Sequence, residues 1–120
     1  MRLAVPVTDC VMCSVISGSE PGALVYRGPE IAAFPPLRPE TAVHLLIVPI
    51  EHSESLPELL RAAPELVGTA TQVAGELAAE RGLVESGYRL VWNHGRDTRQ
   101  QIGHPHLHLL GGQPLSTRIG

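Results

Sequence analysis

The chain contains no lysine, so all nine of its basic residues are arginines. This absence excludes chemistry that proceeds through a lysine Schiff base, and it leaves anion binding to arginine, histidine and backbone N–H groups. Acidic residues outnumber basic ones, and the formal net charge is −3 at pH 7. That balance argues against a broad nucleic-acid surface, and we expect no nucleic-acid partner.

Long apolar runs are also absent. No run approaches the roughly 20 residues that a membrane-spanning helix requires. The apolar stretch at the start of the sequence is too short for a signal peptide, and Pro6 interrupts it. We therefore expect a cytoplasmic protein with no membrane partner. The length of 120 residues predicts one domain, spanning 1–120, with a single core.

Cysteine is limited to one Cys-x-x-Cys pair, formed by Cys10 and Cys13. In a reducing compartment such a pair is more often a metal site or a redox pair than a structural disulfide. The residues before Cys10 are expected to form a loosely tied lead-in.

Histidine is present in an ordered row, with His104, His106 and His108 separated by apolar residues. A strand over 104–111 would place all three imidazoles on one side and the intervening residues in a core. Neutral imidazole is both a nucleophile and a metal ligand. The spacing favours a functional row, and the alternatives are a metal-binding strand or an incidental one.

The apolar pattern predicts an α+β domain with an antiparallel sheet. Short apolar runs predict strands at 24–26, 31–34, 43–49, 88–93 and 104–111. Between the third and fourth runs, a helical block begins at the N-cap Ser55, reaches Arg81 and ends at Gly82. Pro64 is expected to split the block into a short helix and a long one. The long helix carries an apolar stripe typical of core packing: Leu66, Val67, Ala70, Val73, Ala74 and Leu77.

Several motifs together resemble the histidine-triad nucleotide-binding family. Residues 104–110 match its H-φ-H-φ-H-φ-φ signature. Residues 44–52 resemble its H-x-L-V-I-P-x-x-H strand, and residues 87–93 resemble its G-Y-R-x-V-x-N strand. Cys10–Cys13 is similar to the zinc knuckle of bacterial members, and residues 110–112 are similar to the Hint branch. The resemblance covers about residues 10–113. It implies a five-stranded antiparallel sheet with one long helix and a short one, usually in a homodimer.

The resemblance also implies nucleotide chemistry at an α-phosphate. In the family the middle histidine attacks phosphorus, which makes His106 the nucleophile. His108 then orients the phosphate as a donor, and His44 hydrogen-bonds within the row. The expected partner is a purine nucleotide or nucleotide conjugate. The expected reaction is the hydrolysis of a nucleoside phosphoramidate or a similar conjugate. The alternatives are a dinucleoside-polyphosphate hydrolase or nucleotidyl transferase, and a nucleotide- or zinc-binding interaction module without turnover.

The remaining roles come from the same resemblance. Asn93 matches an asparagine that contacts the phosphate or the leaving group, with a turn residue as the alternative. His104 joins the catalytic row and also completes a structural zinc site, whose ligands would be Cys10, Cys13, His52 and His104. A reduced free cysteine pair and a site emptied by oxidation are the alternatives. His44 has the alternative of a satisfied core histidine, and His94 has no expected role.

The sequence departs from the family pattern at the substrate. Pro36 stands where an acidic residue usually grips the ribose hydroxyls, so that contact is lost or moved to a group such as Glu40. Gln101 stands where a hydroxyl is expected beside the phosphate, and its amide can donate to a leaving group. Arg96 and Arg99 add positive charge that favours an anionic leaving group, with solvated loop residues as the alternative.

Overall fold

The computed structural model describes residues 10–18, 24–100 and 103–116. Within these ranges the elements are, in chain order, α1 (Val11–Ser17), β1 (Tyr26–Arg27), β2 (Ile31–Phe34), β3 (Val43–Pro49), α2 (Leu56–Ala62), α3 (Glu65–Glu80), β4 (Tyr88–Trp92) and β5 (Leu107–Gly111). A single 3₁₀ turn lies at Arg96–Thr98. The lead-in expected before Cys10 lies outside the described residues.

The five strands form one antiparallel sheet in the order β1-β2-β3-β5-β4. This confirms the predicted α+β fold with a five-stranded antiparallel sheet. The register between β3 and β5 pairs His44 with Leu110 and Leu46 with His108. His44 and His108 therefore sit diagonally across two neighbouring strands on the same face of the sheet.

The two faces of the sheet carry different partners. Leu45 and Ile47 of β3, with Leu107 and Leu109 of β5, pack against α3 in the main core. The alternate residues face the other way, because successive side chains of a strand point to opposite sides. There α1 packs on part of the sheet through a smaller cluster that includes Met12. The rest of that face is available for a site.

Capping and proline determine the ends of the helices. The Ser55 hydroxyl accepts a hydrogen bond from the Glu58 N–H at 3.2 Å, which caps α2 as predicted. Pro64 lies between α2 and α3, so the split of the helical block is also confirmed. Gly82 follows α3 with φ +72°, a left-handed conformation that favours glycine. Five of the six predicted stripe residues are buried, and Val67 is half-buried.

Three strand and helix predictions need correction. The strand predicted over 104–111 begins only at Leu107, because Pro105 has no N–H for the ladder and the His104 ring is held by other contacts. The strand predicted at 24–26 shares only Tyr26 with the observed β1, which pairs with β2 through Tyr26 and Arg27. Helix α1 was not predicted, since its seven residues are too few for a helical period to show. Among the described residues, no helix combines the length and the apolarity needed to cross a bilayer.

Candidate active site and metal centre

One group of histidines lies with the cysteines. The ligand atoms of Cys10, Cys13, His52 and His104 all lie within 4.8 Å of one another. The Sγ atom of Cys13 is 3.3 Å from Nδ1 of His52 and 3.5 Å from Nδ1 of His104. A tetrahedral zinc ion with bonds of about 2.0–2.3 Å separates its ligands by about 3.3–3.8 Å. The spacing of this Cys/His cluster therefore fits a tetrahedral metal site.

Hydrogen bonds fix which nitrogen of each cluster histidine carries the proton. His104 donates from Nε2 to the carbonyl oxygen of Pro49 at 2.7 Å. His52 donates from Nε2 to the carboxylate of Glu54 at 3.0 Å. Since a neutral ring carries one proton, both rings present an unprotonated Nδ1 to the cluster. Such partners on the far nitrogen are the usual arrangement around metal-bound histidine.

The electrostatics of the cluster also favour a cation. Burial lowers the pKa of His104 to about 4, so its ring is neutral at pH 7. Burial and the neighbouring Cys10 raise the pKa of the Cys13 thiol to about 12. A divalent cation between the two sulfurs would stabilise the thiolates that burial disfavours. The four side chains are therefore a candidate Cys2His2 metal site.

A separate cleft of about 450 Å³ opens on the sheet face that α3 does not cover. One wall is the loop after β2, with Pro36, Arg38 and Glu40. The opposite wall runs from Asn93 to the segment 98–100. The residues on its floor include His44, His106, His108 and Met12. The Cys/His cluster and the cleft thus divide the histidines of the sheet between them.

A chain of hydrogen bonds sets the proton positions of two cleft histidines. The backbone N–H of Glu40 donates to Nδ1 of His44 at 3.0 Å, so the His44 proton is on Nε2. That Nε2 lies 2.9 Å from Nδ1 of His108 and donates to it. The His108 proton is therefore on Nε2. Burial lowers the pKa of His44, and it lowers that of His108 to about 4, so both rings are neutral at pH 7.

His106 has the opposite proton position. Its Nδ1–H donates to the backbone carbonyl of His104 at 2.8 Å, which leaves a lone pair on Nε2. Burial lowers the pKa of His106, so that lone pair is free at neutral pH. The ring centre of His106 lies 4.9 Å from that of His108. The cleft thus pairs an unprotonated imidazole nitrogen with a neighbouring N–H donor, as nucleophilic attack on a phosphate requires.

Most of the predicted site residues lie together in the cleft. His44, His106, His108, Asn93 and Arg99 all line the cleft. Two predicted ribose-side positions, 36 and 40, line it as well. His94 and Arg96 are exposed and do not line it, and Arg96 pairs with Asp97 at 3.2 Å. Gln101 lies outside the described residues.

The role of His104 differs from the predicted row. Its ring lies in the Cys/His cluster, whereas only its backbone carbonyl reaches the cleft histidines. The predicted ligand set of Cys10, Cys13, His52 and His104 comes together in one place. A single residue therefore links the cluster to the cleft.

Some functional groups were missed by the sequence reasoning. The carbonyl of Pro49 and the N–H of Glu40 are backbone groups, which every residue type carries and no motif reveals. Arg38 lines the cleft but stands in a proline-rich loop without periodicity. Glu54 was detectable, because an acid two residues after a proposed ligand histidine is a natural second contact.

Comparisons with known proteins agree with this geometry. The family model described as HIT domain matches residues 17–115. The purine nucleoside phosphoramidase of Escherichia coli K12 is 31% identical over 111 residues, covering 92% of this chain and 93% of that protein. A HIT family hydrolase from Legionella pneumophila Philadelphia 1 is 36% identical with a TM-score of 0.88, covering 93% of this chain and 100% of that one. A Zn-bound histidine triad family protein from Mycobacterium smegmatis is 29% identical with a TM-score of 0.77, covering 92% and 81% of the two chains.

Proposed function

The chain belongs to the histidine-triad (HIT) family, and on that premise we propose that it hydrolyses nucleoside phosphoramidates or similar nucleotide conjugates at the α-phosphate. The observation that carries the proposal is the unprotonated Nε2 of His106 beside the Nε2–H of His108 in the cleft. The phosphoramidase activity named for the Escherichia coli relative supports the choice of substrate class.

In the first step, the lone pair of His106 Nε2 forms a bond to the α-phosphorus, and the P–N bond of the substrate breaks. The amine leaves with the electron pair of that bond and takes a proton from solvent. His106 keeps its Nδ1 proton, and the bond to the His104 carbonyl stabilises the positive charge that develops on the ring. The product of this step is a nucleotidyl-histidine and a free amine.

In the second step, a water oxygen attacks the same phosphorus and the bond to Nε2 breaks. The electron pair returns to His106, the water proton passes to solvent, and the nucleoside monophosphate leaves. His108 is the donor that stabilises charge on the phosphoryl oxygens in both steps. It does so as a neutral ring, because His44 donates to its other nitrogen.

We also propose that the Cys/His cluster holds zinc through Cys10, Cys13, His52 and His104. Support comes from the donor spacing, the unprotonated Nδ1 atoms that face the cysteines and the Zn-bound relative. With four protein ligands, zinc would supply a structural cross-link and no open coordination position. Cys10 and Cys13 lie before the part of the chain that matches the family model, so the cluster ties that segment to β3 and β5.

We also propose that the chain forms a homodimer. Strand β4 is an edge of the sheet, and Val84 and Tyr88 near it expose 67% and 39% of their surface. Of the small residues on α3, Ala70 and Ala74 face the sheet, which leaves Gly68 and Gly75 for a partner helix. Light scattering at micromolar concentration should give twice the chain mass of 12.9 kDa, and a monomeric mass would refute the dimer.

A substrate panel tests the proposed activity. Purified protein is incubated separately with adenosine 5′-phosphoramidate, a diadenosine polyphosphate and a sugar nucleotide, and AMP release is followed. We expect release from the phosphoramidate and an acid-labile adduct that maps to His106. An adduct on Cys10 or Cys13 would contradict the mechanism. Turnover confined to the diadenosine compound would favour the polyphosphate hydrolase, and no turnover would favour a binding module.

A further inference from the structure

The cleft carries positive charge on a protein that is acidic overall. The chain has a formal net charge of −3, yet its cleft is lined by Arg38, Arg99 and a single acid, Glu40. The histidines of the floor add no charge at pH 7, because burial keeps them neutral. A net positive charge in a cleft attracts an anion.

Within the described residues, neither cleft arginine has a side-chain partner. Across the three described ranges, the guanidinium groups of Arg38 and Arg99 make no ion pair and no hydrogen bond. Other arginines do have partners: Arg96 pairs with Asp97, and Arg89 donates to the Ser116 carbonyl at 3.0 Å. The guanidinium groups of the cleft are therefore available to a ligand.

The backbone at Arg99 is held in an uncommon conformation. Its φ is +62°, and it is the single non-glycine residue with positive φ in the described part of the chain. The Thr98 hydroxyl donates to the Gly95 carbonyl at 2.6 Å, and the Gly95 N–H donates to the Gln100 side chain at 3.0 Å. These two bonds brace the turn on both sides of Arg99. Strained backbone of this kind persists where surrounding contacts hold it, and it concentrates at ligand sites.

We propose that Arg99, assisted by Arg38 on the facing wall, binds a negatively charged leaving group, so the enzyme selects conjugates whose leaving group carries a carboxylate or a phosphate. The inference rests on the proposed function. The base and ribose of a nucleoside monophosphate are neutral, so an anion beyond the attacked phosphate can only belong to the leaving group. Guanidinium binds carboxylate and phosphate through the same paired N–H geometry, which makes them one chemical class for this site.

The test compares Arg99→Asn with Arg96→Asn. Asparagine tolerates the left-handed conformation at residue 99 while removing the charge. Arg96 is the matched control, because it lies three residues away, is exposed and does not line the cleft. The substrates are adenosine 5′-phosphoramidate with an unsubstituted amine, the aspartate phosphoramidate of AMP, and a diadenosine polyphosphate.

We expect wild-type kcat/KM to be higher for the two anionic substrates. Arg99→Asn should lower the ratio of anionic to unsubstituted kcat/KM by about tenfold, and Arg99→Lys should recover part of it. Arg96→Asn should leave the ratio within about twofold. The substrate that loses more identifies carboxylate or phosphate as the group recognised. An equal loss on all three substrates, or no loss, overturns the inference.

A binding measurement separates this inference from the proposed activity. By titration calorimetry, wild-type protein should bind ADP more tightly than AMP, and Arg99→Asn should reduce that preference by about tenfold. If no substrate is turned over, the proposed hydrolysis fails while the ADP preference still tests the arginine. If wild type binds ADP no more tightly than AMP, or if Arg99→Asn keeps the full preference for ADP, the anion site is refuted whatever the activity.

Discussion

His104 and His106 are two residues apart and carry the same side chain, yet their rings are set up in opposite ways. His104 donates from Nε2 to Pro49 and presents Nδ1 to the cysteines. His106 donates from Nδ1 to the His104 carbonyl and keeps its lone pair on Nε2. In both cases a backbone carbonyl accepts a hydrogen bond from the ring N–H, and its position decides which nitrogen keeps an unprotonated lone pair. The chemistry of each imidazole is thus chosen by its hydrogen-bond partner rather than by its residue type.

The largest expected effect comes from removing the His106 ring, which carries the proposed attacking nitrogen. His106→Ala should lower kcat by at least about 10³-fold, since the unprotonated nitrogens of His44 and His108 already accept hydrogen bonds and cannot replace it in attack. AMP affinity should change little, because binding is shared among several groups. The measurement is single-turnover AMP release alongside calorimetry.

His94→Ala is the matched control for that variant, because His94 is exposed and outside the cleft. Its activity should stay within about twofold of wild type. If His106→Ala keeps wild-type activity, the contrast between the two rings does not extend to catalysis.

Removing a cluster ligand tests the other side of the comparison. Cys13→Ser should abolish tight zinc binding and lower Tm by about 10 °C or more, because a structural metal contributes directly to folding free energy. Zinc content is measured by elemental analysis of protein purified under reducing conditions with zinc supplied. Since the ligands are deprotonated when bound, a chelator should lower Tm of the wild type more at pH 8 than at pH 5. Metal-free wild-type protein would contradict the zinc assignment.

The pH dependence sharpens the picture of the cleft. Burial, with the nearby rings of His106 and His44, lowers the pKa of His108 from 6.5 to about 4. Protonation of His108 should therefore lower turnover only towards pH 4, where its ring can no longer accept from His44. Between pH 6.5 and pH 4 the unfolded state binds more protons than the folded one, so the free energy of unfolding decreases as the pH falls.

The check is a series of Tm measurements on wild type and His108→Asn across that window. The variant lacks the group with the lowered pKa, so its Tm should fall less steeply than that of wild type. Parallel curves would mean that His108 does not titrate as described.

A smaller effect is expected at Glu54, whose carboxylate accepts from His52 and is 70% exposed. Glu54→Gln should weaken zinc affinity by about tenfold, since this contact orients the ligand and raises its basicity. Competition with a chromophoric chelator measures the affinity, and Glu85→Gln, at another exposed acid, is the control. Equal affinities for the two variants would show that the Glu54 carboxylate does not support the metal.

The sequence predicted the parts of the fold that depend on apolar runs and on helix-ending proline and glycine. A short apolar run located β3 with its exact bounds, and Pro64 and Gly82 marked the helix ends. It missed α1, whose stability comes from packing Met12 against the sheet rather than from a visible period. It also extended the last strand through His104, because the His-x-His-x-His spacing looks the same whether or not the backbone is paired.

For the site, residue types and spacing identified which histidines matter but not how each ring is used. The proton position of His44 depends on the N–H of Glu40, and that of His106 depends on the carbonyl of His104. Such partners are defined by where the chain folds back on itself. Arg99 was detectable as a charge near the phosphate, whereas its braced backbone is visible only in three dimensions.

The hydrogen bond from the His106 ring to the main-chain carbonyl of His104 has a genetic consequence. Every amino acid at position 104 supplies that carbonyl, but only a metal-binding side chain there completes the cluster. A single codon change at His104 can thus remove a member of the Cys/His cluster and leave the acceptor for His106 in the chain. If the chain binds zinc and acts through His106 as proposed, a mutation at residue 104 could remove the metal site and leave the reaction in place. A descendant of such a protein could then lose the metal while retaining the reaction.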